Sequence, residues 1–161
     1  MMTQNWIIRD AVGTDLPFIY STWSKSYRYD SALGKSCRNS IFFPYFNRVM
    51  DWILSQDDTQ VIVAADPANP NVVYGYLITQ PNIVHYAFTK EAFQRWGICL
   101  SLMQKAGMPQ TYTLKTFMCK PIVGKHPEMD FNPFLLFKLG DIKNGEGEEG
   151  IGEGSASLFR S

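Results

Sequence analysis

Cysteine is scarce in this chain and follows no pairing pattern. Its 161 residues hold three cysteines, Cys37, Cys99 and Cys119, an odd number with no CxxC spacing. Histidine is rarer: His85 and His126 stand far apart and unaccompanied. Neither structural disulfides nor a bound metal is expected, and a reduced, cytoplasmic protein is. No apolar run approaches the ~18 residues of a membrane span. The opening stretch, "MMTQNWIIRDAVGTD", lacks the charged-then-apolar order of a secretion signal. Net charge is absent too, because 15 basic side chains balance 15 acidic ones. That excludes nucleic-acid binding driven by bulk charge. The acidic excess lies after Gly140, so the rest of the chain is mildly basic and suits an anionic ligand.

What is present is core-forming material. Hydrophobic residues make up 45% and aromatics 14%, enough for one folded domain. "NWIIRDA" reads as a strand ended by the turn "VGTD". Thr14 or Asp15 is the expected cap of a first helix, with Pro17 in its first turn. Leu16, Ile19, Tyr20 and Trp23 share one face of that helix. The polar run 28–40 reads as irregular, and the stretch 41–56 as helical in its second half. "QVIVAA", "VVYGYLIT" and "IVHYAF" are β-branched and aromatic runs separated by Pro/Asn/Asp turns, the pattern of an antiparallel meander. Strands are also expected at Thr111–Met118 and Phe131–Leu139, with an irregular segment between them. Trp6, Trp23 and Trp52 are expected in the core. The order predicts an α+β fold with a mostly antiparallel sheet covered by helices. Residues 1–139 form the expected domain, and the Gly/Glu-rich 140–161 a flexible tail.

The stretch "FTKEAFQRWGICLSLMQKA" raises a specific question, because Gly97 sits within an amphipathic pattern. In one reading Thr89 caps a helix running from Lys90 to Ala106, and Gly97 is a tolerated defect costing roughly 1 kcal/mol relative to alanine. In the other the helix starts at Gly97. Its first N–H groups and dipole then favour a pyrophosphate, and glycine lets the phosphate approach the backbone. Lys90 and Arg95 add positive charge at the rim.

Ile8-Arg9-Asp10-Ala11, Asp15-Leu16-Pro17 and the Gln94-x-x-Gly97-x-Cys99 pattern after the meander together resemble the GNAT superfamily of N-acetyltransferases. The resemblance runs from about Trp6 to Met118. It implies a mixed, mostly antiparallel sheet with helices on both faces, parted between its fourth and fifth strands to admit acetyl-CoA. It places Gln94, Arg95, Trp96, Gly97, Ile98 and Cys99 at the pyrophosphate, and Tyr86, Ala87 and Phe88 beside the pantetheine arm. The sequence departs from the family at three points. Cys99 stands where Gly or Ala is usual, "NIVHYAF" carries no carboxylate, and "MCKPIVGKHPEMD" carries no tyrosine.

An acceptor amine must lose a proton, and His85 on the fourth strand is the candidate base. Tyr86 is the candidate donor to the leaving sulfur, unless it merely packs, as His85 could. His126 and Glu128 are further polar candidates. Tyr27, Arg28, Tyr29, Lys35 and Arg38 belong to the region that often lines the family's acceptor site. The resemblance thus implies acetyl transfer from acetyl-CoA to a small-molecule or peptide amine. The alternative is a non-catalytic module of the same build that acts through a protein partner, with the tail as a possible contact. Phage virion or host-interaction proteins include such modules.

Overall fold

The computed structural model describes residues 5–116 and 124–137. The end of the expected fifth strand, Cys119 and the 140–161 tail lie outside the described residues.

Six strands form one sheet in the order β1 to β6. β1 is Ile7–Asp10, β2 Gln60–Ala65, β3 Val73–Gln80, β4 Ile83–Thr89, β5 Thr111–Tyr112 and β6 Asp130–Phe131. The first four are antiparallel neighbours, whereas β5 joins β4, and β6 joins β5, in parallel. The expected α+β class and meander are therefore what the chain adopts. β3 is buried along its whole length, as a central strand covered on both faces must be.

Helices cover both faces. α1 (Leu16–Asp30) and α3 (Asn39–Ser55) lie on one, with α2 (Ala32–Ser36) packed on α1. Ile19, Trp23, Tyr27, Phe42, Phe46, Met50 and Ile53 there meet Val63, Tyr76, Ile78 and Tyr86 of the sheet. On the other face α4 (Ile98–Lys105) brings Ile98, Leu102 and Met103 against Ile62, Ala64, Leu77, Val84 and Tyr112.

Several local expectations are corrected. α1 continues to Asp30, because Tyr27 extends its buried stripe one turn beyond Trp23. Ser31 then ends α1 and starts α2, with its hydroxyl accepting from the Gly34 N–H at 2.9 Å. Only close approach explains Gly34: an added Cβ would lie 2.6 Å from the Arg28 carbonyl oxygen. α3 is helical from Asn39 despite Pro44. Phe42 and Phe46, stacked 5.0 Å apart on either side of the proline, offset its missing hydrogen bond.

Asp15 holds the expected N-cap position of α1, with Pro17 in the first turn, but its side chain makes no cap bond to that helix. Its carboxylate accepts from both ends of the Arg9 guanidinium, at 2.8 and 3.0 Å, and from the Val12 N–H at 2.8 Å. Arg9 also donates to the Pro70 carbonyl at 2.8 Å, which ties the end of β1 to the β2–β3 loop. Trp52 faces outward, 41% exposed, and packs on Phe137. β5 ends at Tyr112, and the expected strand from Phe131 gives way to a 3-10 turn over Pro133–Phe137. Proline lacks a ladder donor, and the Asn132 side chain accepts from the Phe134 N–H at 3.1 Å, which starts the turn.

Candidate functional site at the parting of β4 and β5

β4 and β5 pair only at Ile83–Thr111 and Val84–Tyr112. Backbone bonds from Thr111 N–H to Asn82 O at 3.3 Å and from Thr113 N–H to Val84 O at 3.2 Å flank the contact. From Tyr86 onward β4 has no strand partner on that side among the described residues. Its other edge stays on β3, through Phe88 opposite Tyr76 and a 2.8 Å bond from Lys90 N–H to Tyr74 O. Hydrogen-bonded and non-bonded pairs alternate along an antiparallel ladder. The backbone groups of Ala87 and Thr89 therefore turn away from β3 into the gap. Ala87 is exposed there.

The chain leaving β4 folds back at the outer end of this gap. Glu91–Phe93 forms a 3-10 turn, and Phe93 stacks on Tyr74 at 3.9 Å. The Gln94 side-chain amide donates to Thr89 O at 3.3 Å. Trp96 sets its ring edge-on to Phe93 at 5.0 Å and stays 41% exposed. Arg95 and Gly97 both have left-handed backbones, at φ +72° and +89°. Gly97 is the residue before α4, so the continuous helix from Lys90 is not formed. Space does not demand a glycine here, since an added Cβ would meet nothing within 4 Å. The backbone favours it, because glycine takes φ +89° without the strain that a side-chain-bearing residue such as Arg95 carries at +72°. The first intrahelical bond runs from Ser101 N–H to Gly97 O at 3.0 Å, and no side chain caps the helix. The N–H groups of Ile98, Cys99 and Leu100 thus open the helix. Burial pushes the Cys99 thiol up to about 11, so it is protonated at neutral pH and adds no negative charge.

β4 carries a bulge. Ile78 pairs with Tyr86 and Thr79 with Val84, so His85 is the extra residue. The bulge turns Val84 toward α4 and Tyr86 toward α1, breaking the alternation that sequence reading assumes. Tyr86 stacks on Trp23 at 5.7 Å, and its hydroxyl lies 2.6 Å from Ser26 Oγ. Phe88 stacks on Tyr76 at 5.3 Å and meets the edge of Phe18. Lys90 Nζ sits 5.0 Å above the Phe18 ring.

His85 is 1% exposed. Its Nδ1 lies 2.8 Å from Thr113 Oγ1 and its Nε2 lies 2.6 Å from Gln80 Oε1. Gln80 in turn donates to Asp58 Oδ1 at 2.8 Å. The structure thus brings Gln94 to Cys99 together at one end of the gap, with Ala87 and Phe88 along its β4 wall. Tyr86 and His85 lie at the inner end, inside packed surroundings. His126 and Glu128 pair with each other at 3.3 Å on the surface. Tyr27 is core, while Arg28 donates to Asn39 Oδ1 at 2.9 Å and sits over the exposed Tyr29 ring. Sequence reading missed Ser26, Gln80 and Thr113. Gln80 gave one signal, a polar residue closing an apolar strand; the others gave none, because their partners are distant in sequence.

Among the described residues no cluster of His, Cys, Asp and Glu could hold a metal ion, and no helix is long and apolar enough to cross a membrane. No protein-family model and no curated protein matches the chain. Solved structures do resemble it. A transcriptional regulator from Bacillus halodurans has a TM-score of 0.49 at 18% identity, covering 76% of this chain and 89% of its own. A ribosomal-protein-alanine N-acetyltransferase from Brucella melitensis has a TM-score of 0.44 at 20% identity, covering 62% of this chain and 64% of its own. A GCN5-related N-acetyltransferase from Kribbella flavida has a TM-score of 0.46 at 18% identity, covering 64% and 66%. The chain spans just under two thirds of the length of these two acetyltransferases.

Proposed function

We propose that the chain binds acetyl-CoA in the gap between β4 and β5 and transfers the acetyl group to an amine acceptor. One observation carries this reading: among the described residues β4 pairs with β5 only at Ile83 and Val84, and the next α-helix, α4, follows Gly97, which has φ +89° and open space around its Cα. The residues suit an elongated anionic thioester. The N–H groups of Ile98 and Cys99, with the helix dipole and Arg95, would hold the pyrophosphate. The backbone groups of Ala87 and Thr89 would pair with the amides of the pantetheine arm, as an added strand does. Trp96 and Phe88 border that path.

Acetyl-CoA supplies an acetyl group on a thioester, which an amine takes by direct attack, so that a C–N bond replaces the C–S bond. Tyr86, held by Ser26, is the chain's candidate donor of a proton to the leaving sulfur. A second reading, a module that binds CoA or a protein without turnover, is favoured by His85. The ring is buried and each of its nitrogens has a partner, so an amine has no ready base on β4. Calorimetric titration with acetyl-CoA tests the first reading. Micromolar-range binding by the wild type and none by Gly97→Glu is expected, and a wild type without heat of binding would overturn it. Binding without acetyl transfer to a broad panel of primary amines would favour the second.

A further inference from the structure

Asp58, Gln80, His85 and Thr113 form one hydrogen-bonded run with a defined donor direction. A carboxylate oxygen only accepts, so the Gln80 amide turns its NH2 toward Asp58, at 2.8 Å. Its carbonyl oxygen then faces His85 at 2.6 Å, and His85 Nε2 must carry the hydrogen. A neutral imidazole holds one ring hydrogen. Nδ1 is therefore an acceptor, and the Thr113 hydroxyl donates to it across 2.8 Å. Thr113 and His85 are each 1% exposed and Gln80 is 5% exposed, so the two bonds to the imidazole have no competing solvent, while Asp58 lies at the exposed end of the run. The β4 bulge gives His85 this aim, since bulges redirect a side chain and end regular pairing. Thr113 also makes the closing backbone bond to Val84, the last before the strands part.

We propose that His85 is a positioning residue whose Nε2–H tautomer, set by Asp58 through Gln80, holds the Thr113 hydroxyl and so fixes where β5 leaves β4. That point is the inner end of the gap. The latch deepens the acetyl-CoA reading and relies on it only for what occupies the gap. Its role differs from that of a base: the imidazole holds a strand, and the substrate does not touch it.

The test uses the full chain labelled with 15N. Imidazole spectra at neutral pH are expected to show His85 protonated at Nε2 and bare at Nδ1. The opposite tautomer, or a doubly protonated ring, would overturn the proposal. Two variants then separate the hydroxyl from its shape. Thr113→Val is expected to speed hydrogen exchange of the residue-113 amide about tenfold, the scale of one lost buried hydrogen bond. Amides of α3 should be unaffected, and Thr113→Ser should exchange at the wild-type rate. Equal exchange in all three proteins would sink the latch. Acetyl-CoA affinity should likewise fall about tenfold in Thr113→Val and return in Thr113→Ser. A wild type with the expected tautomer and exchange but no acetyl-CoA binding would remove the cofactor reading and leave the latch standing.

Discussion

His85 Nδ1 lies 2.8 Å from Thr113 Oγ1, and this pair stands at the root of the gap between β4 and β5. The sequence offers His85 two roles, a candidate base on β4 or a packed histidine. The bulge carries it out of alternation, into a buried run of amide, imidazole and hydroxyl. Such a run stabilises the fold while complete and is costly when broken.

His85→Ala is therefore expected to destabilise the protein by about 2–4 kcal/mol, because it leaves the Gln80 carbonyl and the Thr113 hydroxyl without this partner and opens a void. Urea unfolding monitored by tryptophan fluorescence reads this as a lower midpoint. A midpoint unchanged from wild type would show that the run contributes nothing to stability.

The meander was legible from particular residues. "QVIVAA", "VVYGYLIT" and "IVHYAF" match β2, β3 and β4 within one residue at every end, because turn residues bound them sharply. Gly97 was legible as a helix start from the Gln94-x-x-Gly97-x-Cys99 pattern after the meander, whereas its left-handed backbone was not. The length of α1 was not, since Lys25, Arg28 and Asp30 make its outer face look like a loop while Tyr27 alone continues the buried stripe. The brevity of β5 was equally hidden. Alternation in "TYTLKTFM" reports strand propensity, whereas the strand's pairing ends where β4 turns away, a long-range event.

Arg9 and Asp15 make stability depend on acid. The Arg9 hydrogen bonds hold the Asp15 carboxyl below its ordinary value of 3.8, against the opposing effect of burial; the Val12 N–H and the Arg9 charge add to the lowering. A carboxylate depressed in the folded state contributes stability that is full above the unfolded value and is lost as pH falls through the folded one. The wild type should therefore lose this contribution only below about pH 4. Asp15→Asn should be roughly 1–3 kcal/mol less stable at neutral pH and should converge toward the wild type in acid. Thermal unfolding at a series of pH values checks this. Parallel curves at every pH would show that the pair does not titrate with folding.

Gly34 predicts a packing failure rather than a conformational one. Its Cβ would strike the backbone oxygens of Tyr27 and Arg28 where α2 crosses the end of α1. Gly34→Ala should cost about 1–3 kcal/mol, the range for overpacking, although alanine favours a helix in isolation. A melting temperature at or above that of the wild type would mean α2 moves aside freely.

Tyr86 and Ser26 allow chemistry to be separated from binding. Tyr86→Phe keeps the stacking on Trp23 and removes the hydroxyl that lies 2.6 Å from Ser26. If that hydroxyl protonates the leaving sulfur, turnover should fall about 100-fold or more, as loss of an acid catalyst does. Acetyl-CoA affinity should stay within a few-fold. Equal turnover in the two proteins would assign Tyr86 to packing.

Two substitutions at Gly97 separate backbone strain from charge. Gly97→Ala adds a methyl group into open space but forces a non-glycine residue to φ +89°. It should lower stability by roughly 1–2 kcal/mol, the cost of left-handed backbone for an L-residue. Gly97→Glu carries the same strain, but its carboxylate sits at a helix N-terminus, where the dipole returns about 0.3–1 kcal/mol. The glutamate variant should thus unfold at or above the temperature of the alanine one. Binding should rank the other way. A carboxylate at this N-terminus occupies the position proposed for the pyrophosphate and repels it, so Gly97→Glu should lose acetyl-CoA while Gly97→Ala keeps a weakened affinity. If both variants bind equally, the helix start does not hold the phosphates. If stability and binding fall together in the same order, strain alone accounts for the loss.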